Sequence, residues 1–165
     1  MAIRNLREEG DEILKKISRK IDVIDDRIKA LADDMFDTMH KFDGLGLAAV
    51  QVGILKRLIV IDLYDEETKF ALVNPEIVWH SEETEEFDEG CLSFPNQFGK
   101  VVRFSKVKVK AQDLDGKNVT LEAEGLLAQA LQHEIDHLNG EVFKDKIVPG
   151  TFEVITPEDI KNNKK

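Results

Sequence analysis

His133-Glu134-Ile135-Asp136-His137 lies within Leu126 to Asn139, a stretch whose apolar residues recur at helical spacing. Two histidines four residues apart share one helix face, so both imidazoles can bind a single metal ion. Glu134 stands beside the first of them, where a carboxylate can take a proton from water activated by the metal. The pattern predicts a metal-dependent hydrolase built around this helix. Two ligands do not hold a catalytic metal, so a third must come from elsewhere in the chain.

Three sources are open. In the longer H-E-x-x-H-x-x-G-x-x-H pattern a third histidine follows the glycine, but here Gly140 is followed by Phe143 at that place. A downstream glutamate, Glu153 or Glu158, is a second source, although Pro157 and a Lys- and Asn-rich tail leave little helix to present it. Upstream lies Cys91, the only cysteine, in Glu89-Gly90-Cys91-Leu92-Ser93. Two His and one Cys would leave a fourth position open for water. Taken alone, Cys91 also reads as a small buried hydrophobe. His40 and His80 fall outside any ligand pattern.

Gly44-Leu45-Gly46-Leu47-Ala48-Ala49-Val50-Gln51 joins an amphipathic helix to an apolar strand. Its small residues allow close backbone approach to a ligand, and the Gln51 amide can donate to a developing oxyanion. With this stretch, the chain resembles the peptide deformylase family in three ordered motifs: G-L-G-L-A-A-V-Q (44–51), E-G-C-L-S (89–93) and Q-H-E-I-D-H-L-N-G (132–140). The resemblance spans about Ile3 to Phe143. Val50 stands where many relatives carry Pro or Thr, and Phe98 where some carry Arg, so a charge-based grip on the downstream peptide is not expected.

The resemblance implies a metal held by Cys91, His133 and His137, with Glu134 carrying the proton. Gln51 and the Leu92 backbone N–H would support the oxyanion. It implies removal of the formyl group from N-formyl-methionyl nascent peptides, with release of formate. Backbones around Gly44, Leu45, Gly46 and Gly90 would hold the peptide extended, by strand pairing. The methionine pocket would fall at Leu45, Phe87, Leu126 and Ala130, with Gln129 at its edge. Fe²⁺ is the implied working ion, sensitive to oxygen through Cys91 and the metal, while Zn²⁺, Ni²⁺ and Co²⁺ suit the same donors. A transient ribosome contact is implied, without the long C-terminal helix of some members.

The 165 residues carry 23 basic and 33 acidic side chains, a net charge of −10 with no large basic block. That charge disfavours nucleic-acid binding, so no direct nucleic-acid specificity is expected. One cysteine excludes an intrachain disulfide framework and suits a cytoplasmic protein. No signal-peptide core or membrane-length apolar run is present. The length suits a single catalytic domain over 1–165, with a frayed basic tail from about 161.

Around the motifs, Glu12 to Ile17 reads as a short helical turn. Asp25 to Phe42 reads as a helix with Asp25 as N-cap and Gly44 as the stop. Leu58–Ile61, Phe70–Val73 (ending before Pro75) and Ile77–Trp79 read as separate strands, and the acidic run 82–86 as an exposed loop or edge. Val107, Val109 and Ala111 alternate with lysines as in a half-buried strand, and Asp115-Gly116 turns into a partner at 119–123. The fold class expected is α+β, with mixed or antiparallel strands clustered around a central metal-binding helix.

Overall fold

The computed structural model describes residues 2–156. The basic tail from about 161, Pro157 and Glu158 lie outside the described residues. Among the described residues eight strands form two antiparallel sheets: β1 (Gly46–Ala48), β2 (Leu58–Asp62), β3 (Lys69–His80), β4 (Thr84–Cys91), β5 (Phe94–Phe104), β6 (Lys106–Gln112), β7 (Asn118–Glu124) and β8 (Glu153–Val154). A five-stranded sheet has the order β1-β2-β3-β6-β7, and a three-stranded sheet the order β4-β5-β8. The helices are α1 (Asp26–Lys41) and α2 (Gly125–Leu138).

All five residues of β2 are buried, and alternation decides which helix each one meets. Leu58 and Val60 pack with Leu31, Met35 and Met39 of α1. Ile59 and Ile61 pack with Leu131, Ile135 and Leu138 of α2. The five-stranded sheet is therefore covered by one helix on each face, and α2 is fixed along its length by apolar anchors spaced three and four residues apart. A smaller cluster of Leu14, Phe94, Val101, Val142 and Phe143 lies beneath the three-stranded sheet.

Asp25 caps α1 by accepting the Ile28 N–H at 3.1 Å, as its position predicts. The stop differs from the expectation. Asp43, not Gly44, takes the left-handed conformation (φ 56°), and its N–H bonds to the His40 carbonyl while the Gly44 N–H reaches back to Met39. That is a Schellman closure with an aspartate at the position usually held by glycine. The early helical turn is a 3₁₀ turn over Glu12–Lys15, capped by Asp11.

Two expected strands are one. β3 runs through Pro75 because a bulge absorbs it: Asn74 and Pro75 together face the place of Ala111, and a second irregularity follows at Val78. Asn74 takes φ 53° there, and its side-chain amide bonds to both the N–H and the carbonyl of Ile21. The acidic run belongs in part to β4, an edge strand whose first residues are exposed.

Candidate metal centre and cleft

Cys91 ends β4, where the hairpin with β5 breaks register: Gly90 faces Phe98, but Cys91 faces Phe94. The irregularity re-aims the thiol toward α2. There its sulfur lies 3.3 Å from His137 Nε2, and the ligand atoms of Cys91, His133 and His137 all lie within 4.8 Å of one another. A tetrahedral ion bound by thiolate and imidazole spaces its donors about 3.5 Å apart. Both histidines are buried, as their four-residue spacing on the inner face of α2 requires. Burial, reinforced by the positive side of the site at His133 and Arg103, pushes His137 well below the ordinary imidazole range. Burial also opposes charge on His133, but Glu134, Cys91 and Glu89 override it and raise its affinity for a proton. A pocket that draws positive charge between a sulfur and two rings fits a metal cation.

Glu89, two residues before Cys91 on the same strand face, is 4% exposed. Arg103 of β5 clasps it with two hydrogen bonds of 2.8 Å, from Nε and Nη2. His133 Nδ1 meets the same carboxylate at 2.9 Å, which leaves Nε2 for a metal. Burial works against the charge of Glu89, yet these bonds hold its carboxyl down at about 2. Arg103 also reaches Asp136 of α2 at 2.5 Å, and Lys146 meets that aspartate at 3.0 Å. Asp136 therefore braces Arg103 from behind the candidate ligands.

Glu134 is 5% exposed, and its Oε1 has no hydrogen-bond partner. Burial pushes its carboxyl up to about 7. Its other oxygen lies against Gly46: a Cβ at that position would sit 2.7 Å from Glu134 Oε2. Gln51 is fixed by its own neighbourhood. Its Oε1 accepts the Ala48 N–H at 2.9 Å, so the Nε2 side faces the Cys91 sulfur at 3.4 Å and the Ser93 hydroxyl at 3.1 Å.

These groups open onto a cleft of about 980 Å³, whose lining includes Gly44, Leu45, Gly46, Gln51, Gly90, Cys91, Leu92, Leu126, Gln129, Ala130, His133 and Glu134. Of the residues the sequence placed at the site, the fully buried His137 does not line the cleft, and nor does Phe87. Phe87 lies on the inner face of β4, opposite Val101, about 13 Å along the strand from Cys91 at ordinary strand rise. Glu153 is exposed on β8 and lies outside the ligand cluster. His40 pairs with Asp62, and His80 stacks on Phe104, so neither joins the cluster.

Two contributions escaped the sequence reading. Ser93, fully buried, receives the Gln51 amide. The segment Ile3–Glu8 lines one wall of the cleft, tied down by Arg7 N–H to the Gln51 carbonyl at 2.7 Å and by Glu9 N–H to Ser93 at 2.9 Å. Ser93 lies in the turn between β4 and β5, inside the E-G-C-L-S motif, whereas the N-terminal segment has no local pattern that would reveal it.

The family model described as Polypeptide deformylase matches residues 3–152. A peptide deformylase of Brachyspira hyodysenteriae is 54% identical over 151 residues, covering 88% of this chain and 81% of that protein. The crystal structure of peptide deformylase from Thermotoga maritima superposes with a TM-score of 0.87 at 41% identity, over 90% of this chain and 100% of that one. A peptide deformylase structure from Legionella pneumophila gives a TM-score of 0.86 at 44% identity, over 99% and 93% of the two chains. Sequence and fold agree along nearly the whole length, and the chain belongs to the polypeptide deformylase family.

Proposed function

We propose that Cys91, His133 and His137 hold one divalent metal ion, and that Glu134, Gln51 and the Leu92 backbone N–H do the work of deformylation beside it. The chain is a metal-dependent hydrolase that removes the formyl group from the N-terminal formyl-methionine of newly synthesised proteins and releases formate. One observation carries the assignment of roles: a sulfur and two imidazoles converge beside a buried carboxylate that has an oxygen to spare. When bound, the ion supplies a Lewis acid that makes water a nucleophile near neutral pH and polarises the formyl carbonyl. The ion is read as Fe²⁺, with Zn²⁺, Ni²⁺ or Co²⁺ suited to the same donors.

Glu134 accepts a proton from the attacking water and returns it to the leaving nitrogen, so that formate and a free amine depart. Its burial makes the carboxyl a proton carrier matched to neutral pH. The Gln51 amide, held with its donor side inward, and the Leu92 N–H stabilise the oxygen that becomes negative, each worth typically about 3 kcal/mol. The substrate peptide lies extended along Gly44, Leu45 and Gly46 on one side and Gly90 on the other. In support, β1 and β4 are edge strands of their respective sheets, with backbone free to pair. Its methionine enters among Leu45, Leu126 and Ala130, with Gln129 at the rim and Phe87 next along the inner face of β4.

The chain is read as one catalytic unit, since residues from Ile3 to Glu134 line the same cleft. No helix among the described residues is long and apolar enough to cross a membrane. Its substrates, nascent formylated chains, assign the work to the cytoplasm and to transient contact with the ribosome. Anaerobic purification, metal analysis and a formate assay on a formyl-Met peptide test the function. One ion per chain with formate release is expected, and Cys91→Ala should lose both. An active, metal-loaded Cys91→Ala protein would overturn the ligand set.

A further inference from the structure

Gly44 and Leu45 lead into edge strand β1, and the carbonyls of both are held. The Tyr64 hydroxyl donates to the Gly44 carbonyl at 2.8 Å, and the Asp62 N–H donates to the Leu45 carbonyl at 3.0 Å. Asp62 also places Tyr64, because its Oδ1 accepts the Tyr64 N–H at 2.8 Å. The other oxygen of that carboxylate meets Nε2 of His40, in the last turn of α1, at 2.7 Å. The rings of Phe36 and Tyr64 neighbour the His40 ring, with centroids 6.2 and 5.7 Å away.

Tyr64 holds this place with φ 60°, a left-handed conformation that a bulky side chain adopts only at a cost. It remains 55% exposed, so burial of the ring does not account for the conformation. What the conformation achieves is the grip on Gly44. The peptide bond from Gly44 to Leu45 is trans and planar, so fixing the Gly44 carbonyl also fixes the direction of the Leu45 N–H, on the opposite side. Gly46 faces Ile61, one residue beyond the Asp62-to-Leu45 hydrogen bond, and therefore turns its own N–H and carbonyl away from β2. On another side Gly44 is packed so tightly that a Cβ would lie 2.7 Å from Leu92 Cδ1. The segment is wedged between the turn that follows Cys91 and the Tyr64 hydroxyl.

We propose that Tyr64 is a positioning residue for the substrate peptide. Its hydroxyl, anchored through Asp62 and His40, locks the Gly44–Leu45 peptide plane so that the backbone of Leu45 and Gly46 is aligned before an extended chain arrives. The inference rests on the reading that this edge carries the substrate. No hydrogen bond among the described residues joins Tyr64, Asp62 or His40 to Glu134, Gln51 or the three ligands, so the effect falls on peptide binding and not on bond breaking.

Steady-state deformylation of formyl-Met-Ala-Ser by the metal-loaded enzyme and its Tyr64→Phe variant tests this. Phe keeps the ring beside His40 and the same backbone, and removes only the donor. Loss of one preorganising hydrogen bond should raise KM about fivefold, with kcat within about twofold of the parent. His40→Ala, which removes the support of Asp62, should raise KM in the same direction with kcat again preserved. An unchanged KM in Tyr64→Phe overturns the proposal, whether or not the melting temperature falls, and so does a fall in kcat without a rise in KM. Parent enzyme that releases no formate would instead overturn the functional reading beneath it, so the two failures are distinguishable.

Discussion

Glu89→Gln tests whether the proposed metal ligands depend on the buried ion pair behind them. The carboxylate accepts three hydrogen bonds, two from Arg103 and one from the His133 ring. Glutamine keeps the shape but turns one acceptor into a donor, so at least one of those N–H groups loses its acceptor and Arg103 loses a buried counter-charge. Removing one partner of a buried pair typically costs about 3–5 kcal/mol. Asp136 still holds the Arg103 Nη1, which places the expectation at the lower end, about 3 kcal/mol. In a chain of this length that loss lowers the melting temperature by roughly 6–12 °C. Loss of a partner that orients a ligating histidine should also weaken metal binding by about 10–100-fold. Denaturant unfolding of the chelator-treated protein reads the first quantity, and competition against a chelator of known affinity reads the second. A variant within about 0.5 kcal/mol of the parent, with undiminished metal affinity, would refute the reasoning, because the clasp would then be a passenger.

Gly46→Ala should cut formate release at least about tenfold in the steady-state assay, because the added Cβ would lie 2.7 Å from Oε2, 3.0 Å from Cγ and 3.1 Å from Cδ of the buried Glu134 and must displace its carboxylate. Glu134→Gln should keep a full complement of metal by elemental analysis while formate release drops roughly 10²–10⁴-fold. Asp34, which accepts the Ala2 N–H and pairs with Arg4, has a carboxyl below its usual range: burial opposes the charge, and these bonds outweigh it. A depressed folded pKa adds stability that is present above the ordinary carboxylate range and lost as pH falls through the folded value. Asp34→Asn should accordingly be less stable than the parent at pH 7, and unfolding series in mild acid should show the gap closing below about pH 4.

Both helices and β2 were legible because each carries a long run of one period, and Asp25 announces the start of α1 at its cap. The reading failed where a long-range contact overrules a local rule. Pro75 ends a strand by local chemistry, but Asn74 is held by Ile21 across the chain and turns the proline into part of a bulge. β4 was obscured because one of its inward positions is a glutamate, so the alternation expected of a half-buried strand is broken at Glu89. Its pairing with Arg103 could be expected from the sequence and is found, but the bond to His133 appears only when α2 is brought to it. The glycines of the first motif were read as room for a ligand. At Gly46 that room is taken up by the enzyme's own Glu134, and only a three-dimensional contact shows it.

The same buried charges explain why three motifs distant in sequence are needed together. Glu89, Asp136 and, in the proposed site, a ligating Cys91 thiolate bring negative charge to this region, set against the cations of Arg103 and Lys146. A cation held between the sulfur and the two rings would offset the negative charge that the cations behind the site leave unbalanced. Arg103 lowers the cost of keeping Glu89 charged, Glu89 orients His133, and the bulge at Cys91 brings the sulfur within reach of His137. In the proposed reaction water and carbonyl would meet the same bound charge, and residues on β4, β5 and α2 balance it in advance.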